Sequence, residues 1–103
     1  MANINATIRA KIVTPASPTI YNVPVVIADE EYYQDFSPST KKFTIRSRQN
    51  AVLKVAFSIG ETGTNYITIP RGMTYCEDGI DFSGTVFFRS DTPDIIVEVL
   101  EWT

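Results

Sequence analysis

Histidine is absent from the 103-residue sequence, and cysteine occurs once. The first absence removes the side chain that most often serves as general base, as partner to a serine or cysteine nucleophile, and as metal ligand. With Cys76 alone no intrachain disulfide can form, so packing must hold the fold, as suits a reducing compartment. Long apolar runs are missing too: none approaches the ~20 residues that span a bilayer. The opening Met1-Ala2-Asn3-Ile4-Asn5 lacks the basic start and apolar run of a secretion signal. The expectation is a soluble chain made in the cytosol, without a membrane partner, in which the sequon Asn5-Ala6-Thr7 carries no weight. Positive charge is scarce as well. Nine Lys and Arg stand against twelve Asp and Glu, for a net charge of −3. They are dispersed, so no basic stripe is available to a phosphate backbone, and nucleic acid is not an expected partner.

What is present is an ordinary globular balance, 44% hydrophobic and 20% charged, in a length that suits one domain over 1–103. The dominant period is two. Ala6, Ile8, Ala10 and Ile12 alternate with Thr7, Arg9 and Lys11, which predicts a half-buried strand ending at Pro15 to Pro18. Residues 19–28 are β-rich, with Tyr21, Val23, Val25 and Ile27 on one face. Pro24 in their midst predicts an edge strand or a bulge, because proline donates nothing to a ladder. The acidic and aromatic stretch from Asp29 to Thr40 reads as a loop. Two strands follow, one carrying Phe43 and Ile45, the other Leu53, Val55, Phe57 and Ile59, with Gln49-Asn50 as a candidate tight turn between them. Lys41, Lys42, Arg46 and Arg48 then read as a solvated outer face. The run Gly60 to Asn65 predicts the turn of a hairpin returning at Tyr66 to Ile69. Pro70-Arg71-Gly72, Asp78-Gly79 and Ser90 to Asp94 mark further turns before a last strand from Ile95 to Trp102. Short strands at this spacing predict an all-β, antiparallel β-sandwich, jelly-roll or Ig-like, of about 7–9 strands.

Chemistry finds little to use. Cys76, between Tyr75 and Glu77, has no partner that would activate it and reads as a core residue of a strand. The acidic clusters Asp29-Glu30-Glu31-Asp35 and Glu77-Asp78-Gly79-Asp81 sit in predicted turns. They lack both the spacing of a calcium loop and a cleft that would oppose two carboxylates. Gly60-x-x-Gly63 lacks the Lys-Ser/Thr and the helix of a phosphate loop. No catalytic, cofactor or metal residues are therefore assigned, and the chain is not expected to be an enzyme.

Aromatics are abundant: five Tyr, six Phe and one Trp. Some must fill the core, but Tyr32, Tyr33 and Phe36 stand in an acidic segment, which either presents them as aromatic interface hot spots ringed by polar groups or folds back over an open end of the sandwich. The final strand is apolar on both faces, Ile95, Val97 and Val99 against Ile96, Leu100 and Trp102, so it is either central or part of an interface. Tyr32, Tyr33, Phe36 and Trp102 are the candidate contact residues.

About half the chain also carries a resemblance. The stretch from Val55-Ala56-Phe57 through Gly63-Thr64-Asn65-Tyr66 leads to Thr68-Ile69-Pro70-Arg71-Gly72, of the form x-I-P-x-G, and Tyr75 to Asp81 reads Y-x-E-D-G-I-D. Gly84 to Phe88 reads G-T-x-x-F, and Val97 to Trp102 reads V-E-x-L-E-W. In this pattern the chain resembles small virion proteins of tailed bacteriophages. The resemblance implies a β-sandwich in the virion, of the capsid cement or decoration type, bound to the major capsid protein or another virion protein. A homo-oligomer is the expected form. Neck, tail or baseplate positions, or a host-surface carbohydrate-binding module, are the alternatives it leaves open.

Overall fold

The computed structural model describes residues 17–103, apart from the side chain of Asp81. It contains eight strands: β1 Thr19–Val25, β2 Tyr32–Asp35, β3 Thr40–Ser47, β4 Leu53–Ala56, β5 Ile67–Ile69, β6 Tyr75–Phe82, β7 Thr85–Arg89 and β8 Ile95–Trp102. They form two antiparallel sheets in the orders β1-β8-β3-β6 (sheet A) and β2-β7-β4-β5 (sheet B). Successive strands alternate between sheets except at β4 and β5, which form a hairpin. Around that hairpin the pairs β3 with β6, β2 with β7 and β1 with β8 are nested. One long hairpin rolled on itself has this connectivity, and it defines a jelly roll rather than an Ig-like sandwich. The strand expected at 6–12 lies outside the described residues.

Alternation places the core. Along β8, Ile95, Val97 and Val99 are buried, while Ile96, Leu100 and Trp102 are half-buried on the outer face. The strand is central, hydrogen-bonded to β1 on one side and β3 on the other. Val25, Phe43, Ile45, Leu53, Val55, Val86 and Phe88 complete the interior from both sheets. Pro24 lies on β1, an edge strand, where its missing N–H interrupts nothing. Because β1 stops at Val25, Ile27 leaves the inward row and is exposed.

Four sequence readings are corrected. Residues 29–40 are not all loop: Tyr32–Asp35 pairs with β7 in the register Tyr32↔Phe88 to Asp35↔Thr85. Asp78-Gly79 is not a turn but a bulge inside β6, where the register steps from Lys42↔Asp78 to Thr40↔Phe82. Gly79 takes φ +66°, which glycine adopts without steric cost. Cys76 is not in the core; it faces outward and is exposed. Its strand neighbours Tyr75 and Glu77 take the inward positions instead. Gln49-Asn50 likewise joins no hairpin, since β3 and β4 belong to different sheets.

A buried carboxylate ties the strands together. Glu101, on the inward row of β8, accepts hydrogen bonds from Tyr21 Oη at 2.7 Å, from Ser37 N at 2.7 Å and from the Thr40 hydroxyl. Burial opposes its ionisation, but the donors from Thr40, Tyr21 and Ser37 outweigh that cost and hold its pKa below the ordinary carboxylate value. Tyr21, as the donor to an ionised group, has its own pKa raised, first by that hydrogen bond and then by burial.

Candidate protein-binding surface

Strand alternation turns one set of apolar side chains outward on sheet B. In β2, Tyr32 and Gln34 face the partner sheet, so Tyr33 and Asp35 face away. In β7, Val86 and Phe88 are buried, which puts Thr85 and Phe87 on the same outer face. Tyr33 lies directly opposite Phe87, and their rings sit 6.3 Å apart at 45°. One step along the ladder, the Thr85 hydroxyl donates to Asp35 Oδ1 at 2.6 Å. With Ile59 these residues line a shallow depression of about 380 Å³. Tyr33 is 60% exposed and Ile59 80%, the latter being the most exposed large apolar side chain in the described chain.

Ile59 belongs to the connection between β4 and β5, and that connection is fixed. Glu31, just ahead of β2, accepts from Gly60 N at 2.8 Å, Thr62 N at 3.2 Å and Thr62 Oγ1 at 2.6 Å. Thr62 is buried, so the loop is drawn against the sheet rather than extended into solvent. Burial works against the Glu31 charge, but the three hydrogen bonds and the nearby Arg89 guanidinium prevail and lower its pKa. Arg89 comes close to this loop: a Cβ at Gly63 would lie 3.2 Å from Arg89 Nη1. Two ends of one carboxylate thus hold an exposed isoleucine beside an exposed tyrosine.

The four sequence candidates divide. Tyr33 lies on this surface. Tyr32 is half-buried, and its hydroxyl accepts the Val26 and Ile27 N–H groups at 3.2 and 3.0 Å, which pins the chain leaving β1. Phe36 is buried in the core, its ring 4.8 Å from Phe43 and 5.6 Å from Phe82. Trp102 is on the opposite sheet, with Lys42 Nζ 4.6 Å above its ring. On that outer face Arg46 and Arg48 both pair with Glu98, at 2.7 and 2.9 Å. Reading the sequence missed Phe87 and Ile59. The signal for Phe87 was present in Val86-Phe87-Phe88, apolar at both parities of a strand with only one buried face.

The one carboxylate in this surface, Asp35, is held by a hydroxyl in an open depression. Among the described residues no three His, Cys, Asp or Glu side chains converge to hold a metal ion. Fold and site together define a jelly-roll domain that presents a preorganised apolar patch. No protein-family model matches the chain, and no characterised protein or solved structure matches it.

Proposed function

We propose that this chain is a non-enzymatic binding protein that docks onto another protein through the Tyr33–Phe87–Ile59 face, and that it serves as a capsid cement protein on the major capsid shell. The observation that carries the reading is Ile59, 80% exposed yet held in place through Glu31. An isolated monomer gains nothing from a fixed, solvated isoleucine, whereas an interface gains an apolar contact whose ordering cost is already met. The resemblance of residues 55–102 to small virion proteins supports the shell as partner, and jelly rolls recur in viral capsid domains. A cement protein that binds only the assembled shell stabilises it by mass action, and symmetry repeats each modest contact many times. The same fold also serves lectins, and Tyr33 beside the Asp35–Thr85 pair is the kind of stacking platform a sugar uses, which favours a glycan as the second reading.

The test is to add the protein, or its Tyr33→Ala/Ile59→Ser variant, to virions lacking it and to follow heat-induced genome release. The native chain is expected to raise the release temperature, and the variant to leave it unchanged. Unchanged release with the native chain removes the cement role, and a hit on a glycan array that is lost in the variant replaces it with the sugar reading.

A further inference from the structure

Among the described residues β6 is the last strand of sheet A, and its inward row is only half-buried. That row is Tyr75, Glu77 and, past the bulge, Ile80 and Phe82. With Phe43 and Phe57 these residues line an open slot of about 250 Å³. Phe43, nearly fully buried, is its floor. Tyr75 and Phe82 each stack near both Phe43 and Phe57, with centroids 5.6 to 6.4 Å apart. Glu77 is the one charged side chain in this aromatic lining, and it sits opposite Phe43 in the ladder where alternation calls for an apolar residue. The Tyr75 hydroxyl donates to Glu77 Oε1. Burial first, and then the hydrogen bond and charge of Glu77, push the Tyr75 pKa up to about 12, so the phenol stays a neutral donor beside the carboxylate.

We infer that this slot receives a lysine or arginine side chain projecting from a partner protein. The chemistry of the walls selects it. Aromatic faces carry negative quadrupole charge and attract cations, while the rings offer an apolar surface for the alkyl stem. The carboxylate supplies the fixed countercharge, and the acidic balance of the chain adds long-range attraction. Size argues for one side chain rather than a cofactor, since small-molecule pockets run roughly 300–1,000 Å³. A neutral sugar or a purely apolar residue would leave Glu77 facing it without a compensating charge. The slot is on the side of the sandwich away from β2 and so does not rest on the role assigned to Tyr33.

Nuclear magnetic resonance titration of the full chain with the blocked tripeptides Ac-Gly-Lys-Gly-NH2 and Ac-Gly-Arg-Gly-NH2 tests this. Ac-Gly-Nle-Gly-NH2, its norleucine side chain carrying no charge, is the control. Saturable shifts confined to Phe57, Tyr75, Glu77 and Ile80 are expected for the two cationic peptides, with affinity near the millimolar range, about what one charged side chain supplies. Glu77→Gln is expected to weaken binding at least ~10-fold with an unchanged melting temperature, in line with loss of one charged partner. Phe57→Ala, at a partly exposed position, is a second variant expected to weaken it, and Tyr33→Ala/Ile59→Ser is expected to leave it intact. Equal binding of the norleucine peptide, absence of shifts up to roughly tens of millimolar peptide, or full binding by both slot variants would each overturn the inference. Glu77 would then be no more than a charge that keeps an edge strand from pairing.

Discussion

Tyr33 and Phe36 lie three positions apart, and the strand geometry sends them to opposite environments. Phe36 closes the end of the core against Phe43 and Phe82, and its backbone N–H continues the sheet by donating to Gly84 O at 2.8 Å. Replacing it with alanine removes most of a buried ring from a packed site. Phe36→Ala is expected to lower the unfolding free energy by about 3–5 kcal/mol. Tyr33→Ala, at an exposed position, is expected to stay within about 0.5 kcal/mol of the native chain. Urea denaturation of the two single variants reads the difference. A Phe36→Ala midpoint equal to that of Tyr33→Ala would mean that the ring is not part of the core. The sequence could not separate these residues, because both are aromatics in an acidic stretch. The cue that distinguishes them, the shared parity of Tyr32, Gln34 and Phe36, is blurred by a polar glutamine in the middle position.

Strand β6 shows the same difficulty for an element. Asp-Gly is a strong turn signal, and the Asp78 side chain does accept the Gly79 N–H at 2.8 Å as it would in a turn. Here the local preference is spent within a strand, because β3 continues past it and pairs on both sides of the irregularity. The bulge shortens the regular edge of sheet A, as befits a strand that has no neighbour on its outer side among the described residues. Strands β1, β3, β7 and β8 were legible as short runs rich in β-branched and aromatic residues bounded by turn residues, with clean alternation only in β3. The two sheets were not, since which strand crosses to the partner sheet depends on pairings between residues as distant as Thr19 and Glu101. A Cβ at Gly79 would meet nothing within 4 Å, so substitution there isolates the backbone conformation. Gly79→Ala is expected to cost about 1–2 kcal/mol, the usual penalty for a left-handed residue with a side chain. Thermal melting checks it, and a melting temperature equal to that of the native chain would show that β6 runs straight through.

At the scale of the whole molecule, stability depends on carboxylates that join distant segments. Glu31 holds the β4–β5 connection, Glu98 the two arginines at the end of β3 and beyond, and Glu101 the segment between β2 and β3 together with β1. All three have lowered pKa values, Glu98 chiefly through its hydrogen bonds from Arg48 and Arg46. A carboxylate whose folded pKa lies below its unfolded value of about 4.3 binds fewer protons when folded. Its stabilisation is therefore complete above that value and disappears as pH falls through the folded pKa. With no histidine in the sequence, no imidazole titrates between these groups and neutrality. The melting temperature is expected to be level from about pH 5.5 to pH 8 and to fall steeply below about pH 4.5. Glu101→Gln should lower stability at neutral pH by about 1–3 kcal/mol, because a buried acceptor of three donors becomes an amide that suits them less well. The same variant should lose less on acidification than the native chain, so that the two melting curves converge near pH 3, below the range in which carboxylates usually titrate. Calorimetry across this range decides the matter: parallel curves for native and variant would remove Glu101 from the acid response and leave it to the more exposed Glu31 and Glu98.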